Sequence, residues 1–139
     1  MTEMARRAWS WLLRLLAILY AYSAAVHAAN LLGIGARGPG QVPLHWTIAD
    51  VAFVVLDSVA AIGLWRARWW GIAAFLLAVG AQLIMYLFFP TAFSETEVQR
   101  RALNGIVVAH LFTIMVFGTL WFLKTDPRPR RAPPPPPPD

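Results

Sequence analysis

The sequence contains no cysteine and has few charged residues. The absence of cysteine excludes disulfide bonds, thiolate metal sites, cysteine-ligated iron–sulfur clusters and covalently attached c-type haem. Charged residues make up only 14% of the chain, whereas a soluble domain carries about a quarter. The chain therefore lacks the polar surface that a soluble domain of 139 residues needs in order to face water.

The sequence also lacks the common signatures of catalysis. It contains no phosphate-binding loop, no dinucleotide fingerprint, no nucleophile–base arrangement and no His/Asp pair at zinc-ligand spacing. The basic residues lie between apolar runs and form no patch with base-stacking aromatics, so nucleic acid is not an expected partner. We therefore predict no catalytic residue and no metal site, and favour a protein that is not an enzyme.

Hydrophobic residues make up 58% of the chain, and they are concentrated in apolar segments near the ~20 residues that a membrane-spanning helix requires. Unpaired backbone amides are not tolerated in hydrocarbon, so each segment must be a helix. The predicted fold is all-α, a four-helix transmembrane bundle over residues 1–125. Its helices are predicted at about 9–34, 46–65, 69–89 and 102–123.

Basic residues predict the orientation of the bundle, because cytoplasmic loops carry an excess of Lys and Arg. Of the 12 basic residues, nine fall on the side of the two termini and three on the other side. The prediction is that both termini are cytoplasmic. The first group comprises Arg6, Arg7, Arg14, Arg66, Arg68, Lys124, Arg128, Arg130 and Arg131, and the second comprises Arg37, Arg100 and Arg101.

Two capping motifs are expected at helix starts. Ser94 and Glu97 have the spacing of a capping box that begins the fourth helix ahead of its apolar run. Thr47 and Asp50 form a weaker version at the start of the second helix. We therefore expect Asp50 to have a structural role, as part of the cap of the second helix.

The segment 126–139 is a proline-rich tail that includes an unbroken run from Pro133 to Pro138. Such a sequence can form neither a helix nor a packed core, so we predict a disordered or extended polyproline II segment in the cytoplasm. It is either a solvated tail or a segment that docks on a cytoplasmic partner.

Polar residues inside the apolar segments predict an intramembrane cluster. At ~1.5 Å per residue, His27 lies about 10 Å from the outer end of its helix, Asp57 about 16 Å, and Gln82 and His110 about 12–14 Å. Asn30 and Tyr86 share helix faces with His27 and Gln82, respectively. We predict one shared polar cluster in the outer half of the bundle.

The cluster has several possible roles. It could be a hydrogen-bonded network that fixes the register of the helices. It could hold haem b between His27 and His110, or form a quinone or proton site in which Asp57 titrates and a histidine relays protons. Binding of an undefined ligand is a further alternative. No cofactor is predicted, and haem b and quinone remain alternatives.

Several stretches of the second and third segments carry a family resemblance. They are Ala49-Asp50-Val51-Ala52-Phe53, Leu56-Asp57, Ala60-Ala61-Ile62-Gly63-Leu64-Trp65 and Arg68-Trp69-Trp70-Gly71. They resemble small four-helix bacterial inner-membrane proteins of unknown function, loosely DoxX-like in size and layout, with His110 matching a histidine of the last helix. The resemblance implies a multi-pass protein of the bacterial inner membrane and, for DoxX-like members, a tie to redox or quinone-linked complexes.

From these observations, we expect a non-catalytic accessory or scaffold subunit of a larger membrane complex. The expected partners are the lipid bilayer and other membrane-protein subunits. The alternatives are a redox- or quinone-linked membrane protein that uses His27, Asp57 and His110, and a small oligomeric transporter or channel.

Overall fold

The protein is an antiparallel bundle of four helices. The computed structural model describes residues 3–34 and 42–125, in which the helices are α1 (Glu3–Leu31), α2 (Leu44–Trp65), α3 (Trp69–Phe88) and α4 (Glu97–Thr125), with a 3-10 turn at Pro90–Ala92. No strand occurs in these two ranges. The predicted all-α class is confirmed. The tail 126–139 and the middle of the first connection lie outside the described residues.

All four helices are long and apolar enough to cross a membrane. Their outward faces carry exposed apolar side chains throughout, for example Leu15, Val55, Leu77 and Met115. Lipid can solvate these side chains at no cost, whereas water cannot. The chain is therefore a membrane protein.

The helices differ from the predicted bounds mainly at their polar ends. The first begins at Glu3 rather than near residue 9, because Arg7 donates a hydrogen bond to Glu3 one turn away and the polar turn remains helical. The fourth helix begins at Glu97 rather than near residue 102. Apolar runs mark the part of a helix that lies in hydrocarbon, and helices extend beyond that part into the interface.

A Schellman motif ends α1 at Leu31, three residues before the predicted end. The amide of Ile34 donates to the carbonyl of Ala29 at 3.0 Å, and the amide of Gly33 donates to Asn30 at 3.1 Å. Gly33 has φ 70°, the left-handed conformation that glycine adopts without a steric penalty. The glycine therefore turns the chain out of the helix.

The connection between α2 and α3 is a tight hairpin, as the three residues between the predicted helices 46–65 and 69–89 indicate. The amide of Arg68 donates to the carbonyl of Gly63 at 2.8 Å, and Ala67 takes φ 51° to make this turn. Gly63 and Gly71 lie at the crossing of the two helices, where a Cβ on Gly63 would be 2.3 Å from the Cα of Gly71. The backbones touch here, and only glycine permits that approach.

Thr47 and Asp50 are not helix caps, so that prediction is wrong. The second helix begins at Leu44, and the residue before it is Pro43, which makes no side-chain cap. Thr47 and Asp50 therefore lie inside the helix, and the side chain of Asp50 is buried against α1. Proline's fixed φ suits the start of a helix, which is why α2 begins ahead of the apparent motif.

The capping box of α4 lies two residues after the predicted one. The hydroxyl of Thr96 accepts from the amide of Gln99 at 3.2 Å, and the side chain of Gln99 accepts from the amide of Thr96 at 3.1 Å. Ser94 instead donates to the carbonyl of Pro90 at 2.7 Å, and Glu97 pairs with Arg100 and Arg101. Two overlapping motifs occur in this segment, and the second one forms the cap.

The helices pack unevenly. At the side of the termini, Trp9 contacts Phe117 and Trp121 with ring centroids 5.1 and 5.7 Å apart, and Phe117 also contacts Phe75 at 5.3 Å. These rings join α1, α3 and α4. Elsewhere α4 packs loosely. Only 11% of its candidate membrane-spanning stretch is buried inside the bundle, compared with 28–39% for the other helices. This leaves a space between α1 and α4.

Candidate functional site

One face of α1 carries the polar residues that meet α2. His27 is hydrogen-bonded through Nδ1 to Oδ1 of Asp50 at 2.7 Å, and its Nε2 lies 4.0 Å from Oδ2 of Asp57. Asp50 and Asp57 are seven residues apart on α2, two turns of helix, so both carboxyl groups face the same side. His27 thus lies between two buried carboxyl groups.

Asp57 is the most enclosed polar residue of this group. It is 0% exposed, and its Oδ2 accepts a hydrogen bond from the hydroxyl of Ser23 at 2.6 Å. Its Oδ1 is buried and has no hydrogen-bond partner among the residues that the structure describes. Asp50 also accepts a longer hydrogen bond from Asn30, at 3.4 Å.

A second polar pair joins α3 to α4. His110 is hydrogen-bonded through Nε2 to the side-chain oxygen of Gln82, which is itself buried. The polar residues therefore form two hydrogen-bonded groups, one between α1 and α2 and one between α3 and α4.

Both groups face one cavity of about 600 Å³ between α1, α3 and α4. Of the predicted cluster residues, His27, Asn30, Gln82, Tyr86 and His110 line this cavity. Asp57 does not line it but reaches it through Ser23, which does. The remaining wall is mainly aliphatic, from Leu16, Leu19, Val26, Val79, Leu103 and Ile106.

The cavity is open on the side between α1 and α4. Leu19, Tyr22 and Val26 from α1 line it and are 51%, 70% and 40% exposed. Ile106 from α4 lines it and is 38% exposed. These residues lie within the candidate membrane spans, so the opening faces the hydrocarbon of the bilayer rather than water.

Aromatic side chains close the cavity at the side of the α1–α2 and α3–α4 connections. Phe93 is buried there, with its ring 4.9 Å from that of Trp46 and 6.2 Å from that of Tyr86. His45 holds the connection in place by donating from Nε2 to the carbonyl of Ala92 at 2.9 Å. Sequence reasoning missed Trp46 and Phe93, because an aromatic residue at a helix end equally fits a membrane-interface belt.

Asp50 and Ser23 are the other residues that sequence reasoning did not place in the site. The seven-residue separation of Asp50 and Asp57 was the available signal for the first. Ser23 lies on the same helical stripe as His27 and Asn30, and this spacing was the signal for the second.

The histidine nitrogens bear on the haem hypothesis. Nε2 of His110 is bonded to Gln82, and Nδ1 of His27 is bonded to Asp50. Axial ligation of haem by both residues would require Nε2 of His110 to leave Gln82. Within residues 3–34 and 42–125, no group of three or more His, Cys, Asp or Glu side chains could hold a metal ion.

Among known proteins, this chain matches one family. Neither a curated protein nor a solved structure matches it. The resemblance to DoxX-like proteins therefore has no support from these comparisons, while the expectation of a small family without an assigned function is confirmed. Over residues 7–125, which include all four helices, the chain matches and belongs to the Family of unknown function DUF6163.

Proposed function

We propose that this protein binds a membrane-soluble quinone in the cavity between α1, α3 and α4. The observation that carries the proposal is the composition of this cavity, which combines a volume of about 600 Å³, apolar walls and polar side chains from three helices. Small-molecule sites have this volume and this pattern of a few polar groups on an apolar surface. The proposal makes the protein a quinone-linked membrane protein without a catalytic residue of its own.

The chemistry of the cavity favours a ligand with carbonyl or hydroxyl groups on an apolar body. His27 and the Gln82–His110 pair bring polar side chains from different helices to this cavity. A quinone carbonyl can accept from the side-chain amide nitrogen of Gln82, which the bond to His110 does not use. The hydrocarbon chain of the quinone suits the aliphatic wall. The opening between α1 and α4 lets the chain of the ligand remain in the bilayer.

The proposed location is the bacterial inner membrane, with both termini in the cytoplasm. The distribution of the 12 basic residues, nine on the side of the termini and three on the other, supports this orientation. In this orientation, the closed end of the cavity at Trp46 and Phe93 faces away from the cytoplasm, and the ligand enters sideways.

A short-chain ubiquinone analogue, decylubiquinone, is expected to quench the fluorescence of Trp46 saturably in lipid nanodiscs. Trp46 lines the cavity, and a bound quinone ring accepts energy or electrons from a nearby excited indole. Ala109 lines the cavity and is exposed, so Ala109→Phe fills space without disturbing the core. This variant should weaken binding at least about tenfold, a loss of ~1.4 kcal/mol.

The matched control is Val108→Phe, which adds a ring of the same size to the neighbouring residue outside the cavity and should leave quenching unchanged. In Trp46→Phe, the saturable component should disappear from the remaining tryptophan signal. The proposal fails if wild-type quenching does not saturate, or if the two phenylalanine variants at 108 and 109 bind alike.

An accessory or scaffold role in a larger membrane complex is the second candidate function. Gly118 lies on α4 in an exposed apolar stripe with Leu111, Met115 and Phe122, and a Cβ built on it meets nothing within 4 Å. A helical glycine destabilises the helix by about 0.5–1 kcal/mol relative to alanine unless it serves a close contact. In membranes, such residues allow a second helix to approach, so the stripe favours a helix of another subunit.

Purification in mild detergent tests this role. The protein is expected to migrate in native gels as part of a larger assembly of constant composition, and Gly118→Leu should release it. Gly80→Leu is the matched control, because Gly80 on α3 also has open space around it. Migration of the wild-type protein alone would contradict an accessory role, while quinone binding could still hold. Docking of the proline-rich tail on a cytoplasmic partner stays a prediction, as does the small oligomeric transporter or channel.

A further inference from the structure

The carboxyl group of Asp57 lies deep in the bundle. It is 13 residues into α2, about 20 Å along the helix axis, and it is 0% exposed. Among the described residues, no Lys or Arg forms an ion pair with it, and the nearest basic group is the imidazole of His27 at 4.0 Å. Since His27 is already hydrogen-bonded to Asp50 at 2.7 Å, its charge would be shared by two carboxyl groups.

An ionised Asp57 would be poorly solvated. A buried carboxylate normally collects two or three donated hydrogen bonds, but Asp57 receives one, from Ser23, and its Oδ1 receives none from the described residues. A neutral carboxylic acid avoids most of the cost of placing charge in hydrocarbon. The lack of an ion pair with Lys or Arg among the described residues and the lack of a hydrogen bond to Oδ1 from them therefore both favour the protonated form of Asp57.

The same residues connect Asp57 to the cavity. Ser23 contacts Oδ2 of Asp57 and also lines the cavity, as does His27. The titratable groups that face Asp57 are His27 and Tyr20 from α1 and Asp50 from its own helix, while α3 and α4 contribute Tyr86 and His110 on the far wall of the cavity.

We propose that Asp57 is an intramembrane proton-binding site that holds a proton at neutral pH and exchanges it with the cavity through Ser23. In the exchange, the hydroxyl of Ser23, which donates to Oδ2 of Asp57 in this structure, turns its own proton toward a water molecule in the cavity. Its oxygen then accepts the carboxyl proton as the hydroxyl releases its own proton to that water molecule. The O–H bond of Asp57 breaks as one forms at Ser23, and the original O–H bond of Ser23 breaks as one forms at the water molecule. Asp57 is left as the carboxylate, and the water molecule becomes hydronium. The site does not require the proposed quinone.

Infrared difference spectroscopy of the full-length protein in lipid vesicles tests the proposal. At neutral pH, the wild-type protein should show the C=O stretch of a protonated carboxyl group, and this band should shift in D₂O as the proton exchanges. Asp57→Asn should remove the band. Glu95→Gln should retain it, because Glu95 is exposed and lies outside the candidate membrane spans.

Ser23→Ala supplies a second measurement that does not depend on the folding of the Asp57 variant. It should shift the band, since the hydrogen bond to the carboxyl group is lost, and it should slow the D₂O shift at least about tenfold. The proposal is overturned if the wild-type protein lacks the band at neutral pH, if the band survives in a folded Asp57→Asn protein, or if Ser23→Ala leaves both its position and its exchange unchanged. These readouts contain no quinone, so they separate this proposal from the preceding one.

Discussion

Replacing Gly63 with alanine is expected to lower the free energy of unfolding of the bundle by about 3 kcal/mol, the upper end of the usual cost of overpacking. The added Cβ would lie 2.3 Å from the Cα of Gly71 and 2.5 Å from the ring of Trp70, so backbone as well as side chain must move. The effect should appear as a lower midpoint for unfolding by SDS in mixed micelles, followed by circular dichroism.

Gly80→Ala is the matched control for this substitution. Gly80 lies inside α3, and a Cβ built on it meets nothing within 4 Å. Since alanine favours helix over glycine by about 0.5–1 kcal/mol, Gly80→Ala should be neutral or slightly stabilising. Equal effects at Gly63 and Gly80 would show that α2 and α3 do not cross at the glycines.

Removing His27 is expected to destabilise the protein by about 3 kcal/mol, because the buried carboxyl group of Asp50 loses its 2.7 Å hydrogen bond with His27. Asp50→Leu should have an effect of similar size. The double variant His27→Leu/Asp50→Leu should be less destabilised than the sum of the two by about 1–3 kcal/mol, the coupling expected for residues in direct contact.

The same SDS titration measures all four proteins of this cycle. Thr119→Ala combined with His27→Leu is the control, since Thr119 is exposed on α4 and its hydroxyl bonds only locally to the carbonyl of Met115. That pair should be additive within about 0.5 kcal/mol. A cycle in which His27 and Asp50 are also additive would contradict the direct contact between α1 and α2.

The residues of the candidate site differed in how far their roles could be predicted from the sequence. His27, Gln82 and His110 are rare polar residues within apolar helices, and their depth alone indicated that they share a level of the bundle. Asp50 was interpreted as a cap because its spacing from Thr47 matches a capping motif. A capping motif acts as a cap only if the helix begins at it. At α2, Pro43 starts the helix ahead of Thr47, so this motif lies inside the helix.

The pairing of the polar residues could not be read from the sequence. Depth along a helix follows from counting residues, but the direction of a side chain around the axis relative to a neighbouring helix depends on how the helices rotate and cross. His27 turns to Asp50 and His110 to Gln82, so the expected single cluster is divided into two groups on opposite walls. The cavity between them arises because α4 packs tightly only at its aromatic end, through Phe117 and Trp121.

By itself, the sequence determined that lipid is the solvent of this chain, that it forms helices, where most of them lie and that α2 and α3 meet in a hairpin. These features follow from the transfer of apolar residues and backbone amides into hydrocarbon, which adds up residue by residue along the chain. Only the tertiary structure decided the contact at Gly63 and Gly71, the partners of His27 and Asp57 and the opening between α1 and α4. Those features depend on ångström-scale distances between helices that are remote in sequence, and such distances are set by packing rather than by composition.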